Sequence, residues 1–164
     1  MTGDSRAVVS KLLTDVWSNG NAGLLEDLID PGYRSHIEET NPVRTSHQTG
    51  PIIPRTEIAA YRSGIPNLSL DVTTVLAEGN TVVAIWTMSG DNTADARVED
   101  GDEVIPSSGR PIETTGVGTF IIKDGKITEA AYRWYPLGPL TQLRFFATGA
   151  VEIQLSDERV SLRR

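Results

Sequence analysis

The stretch GRPIETTGVGTFIIKDGKITEAAYRWYPLGPLTQL, residues 109–143, decides the fold. A run rich in Thr, Val, Ile and Phe leads into Lys123-Asp124-Gly125-Lys126, and a second run of β-formers and aromatics follows. Asp-Gly accepts the positive φ angles of a tight two-residue turn, so the pattern predicts a long antiparallel hairpin. Side chains alternate across a strand. Residues 127–135 therefore present Glu129, Arg133 and Tyr135 on one face and Tyr132 and Trp134 on the other. The ionisable face is expected to look into a cavity, with Trp134 on the opposite sheet face or at a contact between subunits.

A second hairpin precedes this one. Leu68, Leu70 and Val72 alternate with Ser69, Asp71 and Thr73, Glu78-Gly79-Asn80 supplies a turn, and 81–89 (TVVAIWTMS) returns. Upstream the period changes to that of a helix. Val9, Leu12, Leu13, Val16 and Trp17 form one stripe, ended by Asn19-Gly20. Leu24, Leu25, Leu28 and Ile29 make a shorter helix, which Asp30-Pro31-Gly32 is expected to break. Residues 41–54 hold three prolines and read as a loop or lid. Thr56-Glu57 opens a third helix with Ile58 and Tyr61 inward, closed by Gly64 and Pro66. Residues 91–103 carry six carboxylates against one arginine and read as a solvated loop, without the ligand spacing of a calcium site. Residues 138–147 suggest a closing helix, and 148–164 a C-terminal extension forming an edge strand or a frayed tail.

Three helices followed by long antiparallel strands describe a single α+β domain over 1–164: a curved antiparallel sheet with helices packed on one face around a central pocket. The composition bounds the partners. A net charge of −7 argues against nucleic acid, whose recognition needs clustered Lys and Arg. No apolar run approaches the ~18 residues of a membrane span, and no secretory signal is evident, so no membrane partner and a cytoplasmic location are expected. The absence of cysteine excludes disulfides and thiolate chemistry.

Read together, the blocks 21–36 (NAGLLEDLIDPGYRSH), 65–90 (IPNLSLDVTTVLAEGNTVVAIWTMSG) and 109–143 resemble the SnoaL-like polyketide cyclase branch of the NTF2-like superfamily. The resemblance implies an NTF2-like cone, and a cofactor-free enzyme of secondary metabolism such as antibiotic biosynthesis. It also implies one hydrophobic substrate and a homodimer joined through its sheets. His36 matches the histidine that ends the family's first block. Two positions depart: Asn92 stands where the family usually has histidine, and Tyr135 where it has its acid/base aspartate. Those departures argue against an aldol cyclase using the standard carboxylate.

The catalytic candidates are then His36, Tyr135 and Arg133. Imidazole, with a reference pKa near 6.5, is the best remaining acid or base, while phenol and guanidinium suit the holding of an oxyanion. Trp17, Tyr33, Tyr61, Trp86 and Met88 are candidates for an apolar pocket wall. Asn92, Glu113 and Glu129 are candidate polar contacts, although a solvent-facing position suits Glu113 as well. No histidine and carboxylate spacing fits a metal template, and no cofactor is expected. The expected activity is intramolecular cyclisation or isomerisation. The alternatives are a non-catalytic binding or dimerisation module, or a relative of the epoxide hydrolases.

Overall fold

The computed structural model describes residues 4–36, 48–98, 103–135 and 143, together with the backbone of 152–156 and 159–163. Helix α1 (Ser5–Lys11) starts where the Asp4 side chain accepts the Arg6 N–H, and it continues as a π-helical stretch, Leu12–Ser18. The predicted stripe is all buried: Val9, Leu12, Leu13, Val16 and Trp17. After a 3-10 turn (Ala22–Leu24), helix α2 (Leu25–Leu28) ends ahead of Asp30-Pro31-Gly32, as expected, and the chain needs no separate turn. It enters strand β1 (Ile29–His36) directly. Pro31 is tolerated because β1 lies at the sheet edge and its pairing slips between Ile29 and Arg34.

Helix α3 runs from Ile52 to Gly64, so its first turn occupies part of the expected loop. Pro51 at the N-cap and Pro54 in the first turn sit where no backbone N–H is needed, which makes both compatible with a helix start. The strands β2 (Ser69–Glu78) and β3 (Thr81–Asp91) form the second predicted hairpin. Residues expected to be a solvated loop instead contribute β4 (Ala96–Val98) and β5 (Glu103–Ile105), a small hairpin of its own. Then come β6 (Pro111–Lys123) and β7 (Lys126–Tyr135), joined at Asp124 (φ 51°) and Gly125 (φ 78°) as the sequence requires. The C-terminal strands β8 (Glu152–Ser156) and β9 (Arg159–Arg163) pair with each other rather than with the main sheet. Of the expected closing helix only Leu143 is among the described residues; it is helical and buried.

The main sheet has the order β1-β7-β6-β3-β2. It is mixed rather than wholly antiparallel, because β1 runs parallel to β7. The N-terminal helices and α3 cover one face, the arrangement expected of an α+β cone. Among the described residues no helix is long and apolar enough to cross a membrane.

Alternation sorts the central strands cleanly. Val82, Ala84, Trp86 and Met88 of β3, Gly116, Gly118 and Phe120 of β6, and Ala130 and Tyr132 of β7 are all buried on the inner face. Trp86 pairs with Gly116, and its indole lies over Gly116 and Gly118: a Cβ on Gly116 would stand 2.3 Å from the ring. A methyl group there must displace a fully buried indole. Gly116→Ala is therefore expected to lower stability by about 1–3 kcal/mol, the usual cost of overpacking, as read by chemical denaturation. An unchanged denaturation midpoint would contradict this packing.

Candidate active site

The inner face of the sheet and the helices above it enclose a continuous run of rings. Trp17 contacts Tyr61 (centroids 5.3 Å apart), Tyr61 contacts Trp134 (6.1 Å), and Trp134 meets Trp86 edge-on (5.7 Å). Trp86 in turn meets Tyr132 (6.1 Å), which meets Phe120 (5.6 Å). The π-helical turn delivers Trp17, α3 delivers Tyr61, and the strands deliver the rest. Tyr33 of β1 adds a further buried ring.

This wall is not purely apolar. The indole N–H groups of Trp17 and Trp86 and the hydroxyls of Tyr33 and Tyr132 are buried without a hydrogen-bond partner. The Tyr33 hydroxyl lies near the Ser35 and Tyr132 side chains, and the Tyr132 hydroxyl near Tyr33. Leaving a buried donor unpaired costs about 1–3 kcal/mol, so four on one wall is a heavy concentration. Burial, reinforced for Tyr33 by Glu57 and for Tyr132 by Tyr33 and then Glu57, raises both phenols well above their ordinary range. Each therefore keeps its proton and remains a donor.

Among the described residues Glu57 is the one ionisable carboxyl buried with them, 2% exposed on the inward side of α3. Its partner is Ser35, whose Oγ donates to Oε1 at 3.5 Å. No cation among the described residues pairs with it. Burial, opposed only by the Ser35 hydrogen bond, pushes its carboxyl up to about 8, so it rests as the neutral acid at pH 7. The sequence held a signal for it: Ile53, Glu57 and Tyr61 are spaced four apart, one helical stripe, once α3 begins at Ile52 rather than Thr56.

The other expected residues divide by face. Trp17, Tyr33, Tyr61, Trp86 and Met88 point inward, as does Trp134, which corrects its expected outward placement. His36, Glu129, Arg133 and Tyr135 lie on the outer face, and this corrects the expectation that the ionisable side of β7 looks into the cone. The physical reason is the usual one: bulky rings are buried and charged groups are left to water. His36 Nε2 and Glu129 Oε2 are 3.1 Å apart, both more than half exposed. Arg133 Nη1 donates to the Tyr132 carbonyl, and Tyr135 is 70% exposed.

Asn92 is a structural clasp. Its Nδ2 donates to the carbonyls of Gly64 and Ala94, and its Oδ1 accepts from the N–H and Oγ of Ser108, so its side chain is already committed. Glu113 is exposed, as its solvent-facing reading anticipated, and borders an open groove of about 560 Å³ with Asn67, Ser89, Asp91 and Pro111. Among the described residues no three His, Asp or Glu side chains converge as a metal would require.

Residues 7–143 match the family described as SnoaL-like polyketide cyclase. The chain belongs to that family. Solved structures agree with this membership in fold. TsrD from Streptomyces laurentii is 27% identical, with a TM-score of 0.64 over 84% of this chain and 96% of that one. IdmH from Streptomyces antibioticus, provisionally a polyketide cyclase, is 20% identical, with a TM-score of 0.67 over 86% and 99%. A Jannaschia sp. CCS1 protein, provisionally a SnoaL-like polyketide cyclase, is 23% identical, with a TM-score of 0.67 over 85% and 91%. No curated protein matches the chain.

The raised carboxyl has a thermodynamic signature. Between its ordinary 4.5 and about 8 the unfolded chain has released a proton that the folded chain keeps. The stability is thus full below about pH 4.5 and falls as pH rises toward 8, by up to ~1.4 kcal/mol per pH unit. Glu57→Gln removes the ionisation. Its melting temperature should gain on the parent's steadily from pH 5 to pH 8; a pH-independent difference would contradict the burial of a neutral acid.

Proposed function

We propose that the chain is a cofactor-independent enzyme that closes a ring in a hydrophobic, polyketide-type intermediate held against the inner aromatic wall. Family membership supports a cyclase-type role. One observation carries the finer reading: four buried donors, Trp17 Nε1, Trp86 Nε1, Tyr33 OH and Tyr132 OH, have no hydrogen-bond partner among the described residues. Such a wall suits a neutral ligand rich in carbonyl or ether oxygens. The rings would fix the curvature of a flexible chain, and holding reacting ends together removes several kcal/mol of barrier. In a dry interior the donors act on a developing oxyanion far more strongly than water would.

The tight mutual packing of the rings favours a second reading, a non-catalytic binding module. Both readings require binding at the wall, and they part on whether bound molecules react. The outer face has its own role in the proposal. Leu76, Val117 and Tyr135 are exposed there beside Val83 and Ile85, a surface suited to a second copy of the chain.

Quenching of tryptophan fluorescence by 2-acetylnaphthalene and by naphthalene tests the wall. Tyr132→Phe should weaken the ketone about tenfold, the worth of one buried hydrogen bond, and leave the hydrocarbon unchanged. Equal effects on both, or no binding of either, would contradict the reading. For the outer face, Val117→Asp should convert a dimer to a monomer in size-exclusion chromatography with light scattering; an unchanged mass would exclude that face as the interface.

A further inference from the structure

The molecule offers an open groove beside Glu113, an outer sheet face, the Asn92 clasp and a set of buried titratable groups. Only the last brings reactive side chains from three elements to one place. Glu57 of α3, Tyr33 of β1 and Tyr132 of β7 lie together at the inner wall, with Ser35 holding one oxygen of the carboxyl. An inward carboxyl with no cation among the described residues to balance it is an expensive way to fill space, and glutamine would fill it without the ionisation.

We infer that Glu57 is the proton-transfer group of this site, acting on a neutral substrate in which an internal hydroxyl adds to an enone, with Tyr33 and Tyr132 donating to the enone oxygen. The inference rests on the proposed binding of the substrate at the inner wall. The resting form favours acid-first chemistry, since a carboxyl held up to about 8 has a proton to give at pH 7. Among the described residues the groups facing it are Tyr33, Ser35 and Tyr132, with Tyr61 beyond Tyr132, and none of them carries a charge at that pH.

The step balances without a co-reactant. Glu57 gives its proton to the enone oxygen while the hydroxyl oxygen forms a C–O bond to the β-carbon and the π pair moves to make an enol. The hydroxyl's proton then passes to the Glu57 carboxylate, which restores the acid. The enol becomes the ketone by ordinary tautomerisation, so the overall change is an isomerisation. One carboxyl both gives and takes, which is why no second acid or base is required.

The test uses the full chain and 2′-hydroxychalcone, a neutral aryl enone whose phenol closes on it to a flavanone with a change in absorbance. Binding is read by tryptophan quenching and closure by absorbance. The proposal expects the parent to bind and to speed closure over the buffer rate, and Glu57→Gln to bind comparably and lose about 100-fold or more of that acceleration. The parent's rate should fall as pH rises through about 8, a dependence absent from the variant. If binding holds and the variant keeps its rate, or if the parent binds without acceleration, Glu57 is not the proton-transfer group. Absence of binding overturns the pocket reading instead. Carboxyl ¹³C NMR of the glutamate-labelled chain adds an independent readout. One resonance, missing in Glu57→Gln, should titrate near 8, and its titration in the ordinary glutamate range would also overturn the inference.

Discussion

Trp86 lies across the space that Gly116 and Gly118 leave open, and the inner wall is built around that contact. Any side chain on Gly116 would lift the indole off the sheet. With the ring flat against β6, its edge meets Trp134 and Tyr132 on β7, and Tyr61 and Trp17 close over them from the helices. The geometry of five rings thus depends on two missing Cβ atoms.

The same packing explains the site's chemistry. Rings that bury one another also bury the polar atoms they carry, so two indole N–H groups and two phenols are shut away from water with no partner among the described residues. Glu57 enters this environment on α3, where desolvation costs more than its single Ser35 hydrogen bond returns, and it stays protonated. Donors and a neutral acid then share one dry wall. An acceptor-rich neutral molecule is what such a wall lacks.

Much of the fold was legible because periodicity is a local property. The α1 stripe, the Gly79 and Asp124-Gly125 turns and the alternation of β2, β3, β6 and β7 all appear where the residues place them. Two misreadings share a cause: a residue's local preference was overridden by its tertiary position. Residues 91–103 looked like a solvated loop but carry β4 and the start of β5, and Pro51 and Pro54 looked like loop residues but occupy the start of α3. The second error hid the site. With the helix opened at Thr56, Glu57 became a first-turn residue and its place in the buried stripe was lost. In β7, alternation separates two faces but does not say which is inward. Assigning the ionisable side to the cavity favoured His36, Arg133 and Tyr135 over Tyr132 and Trp134, against the plain expectation that aromatic bulk is buried.

A crystal structure of the chain with 2′-hydroxychalcone bound tests the central claim most directly. The account predicts the enone oxygen within hydrogen-bond distance, about 3 Å, of the Tyr33 and Tyr132 hydroxyls, with the Glu57 carboxyl in contact with the reacting atoms. A ligand lodged instead in the groove beside Glu113 or on the outer face by His36 and Arg133, with the inner rings closed on one another, would contradict it.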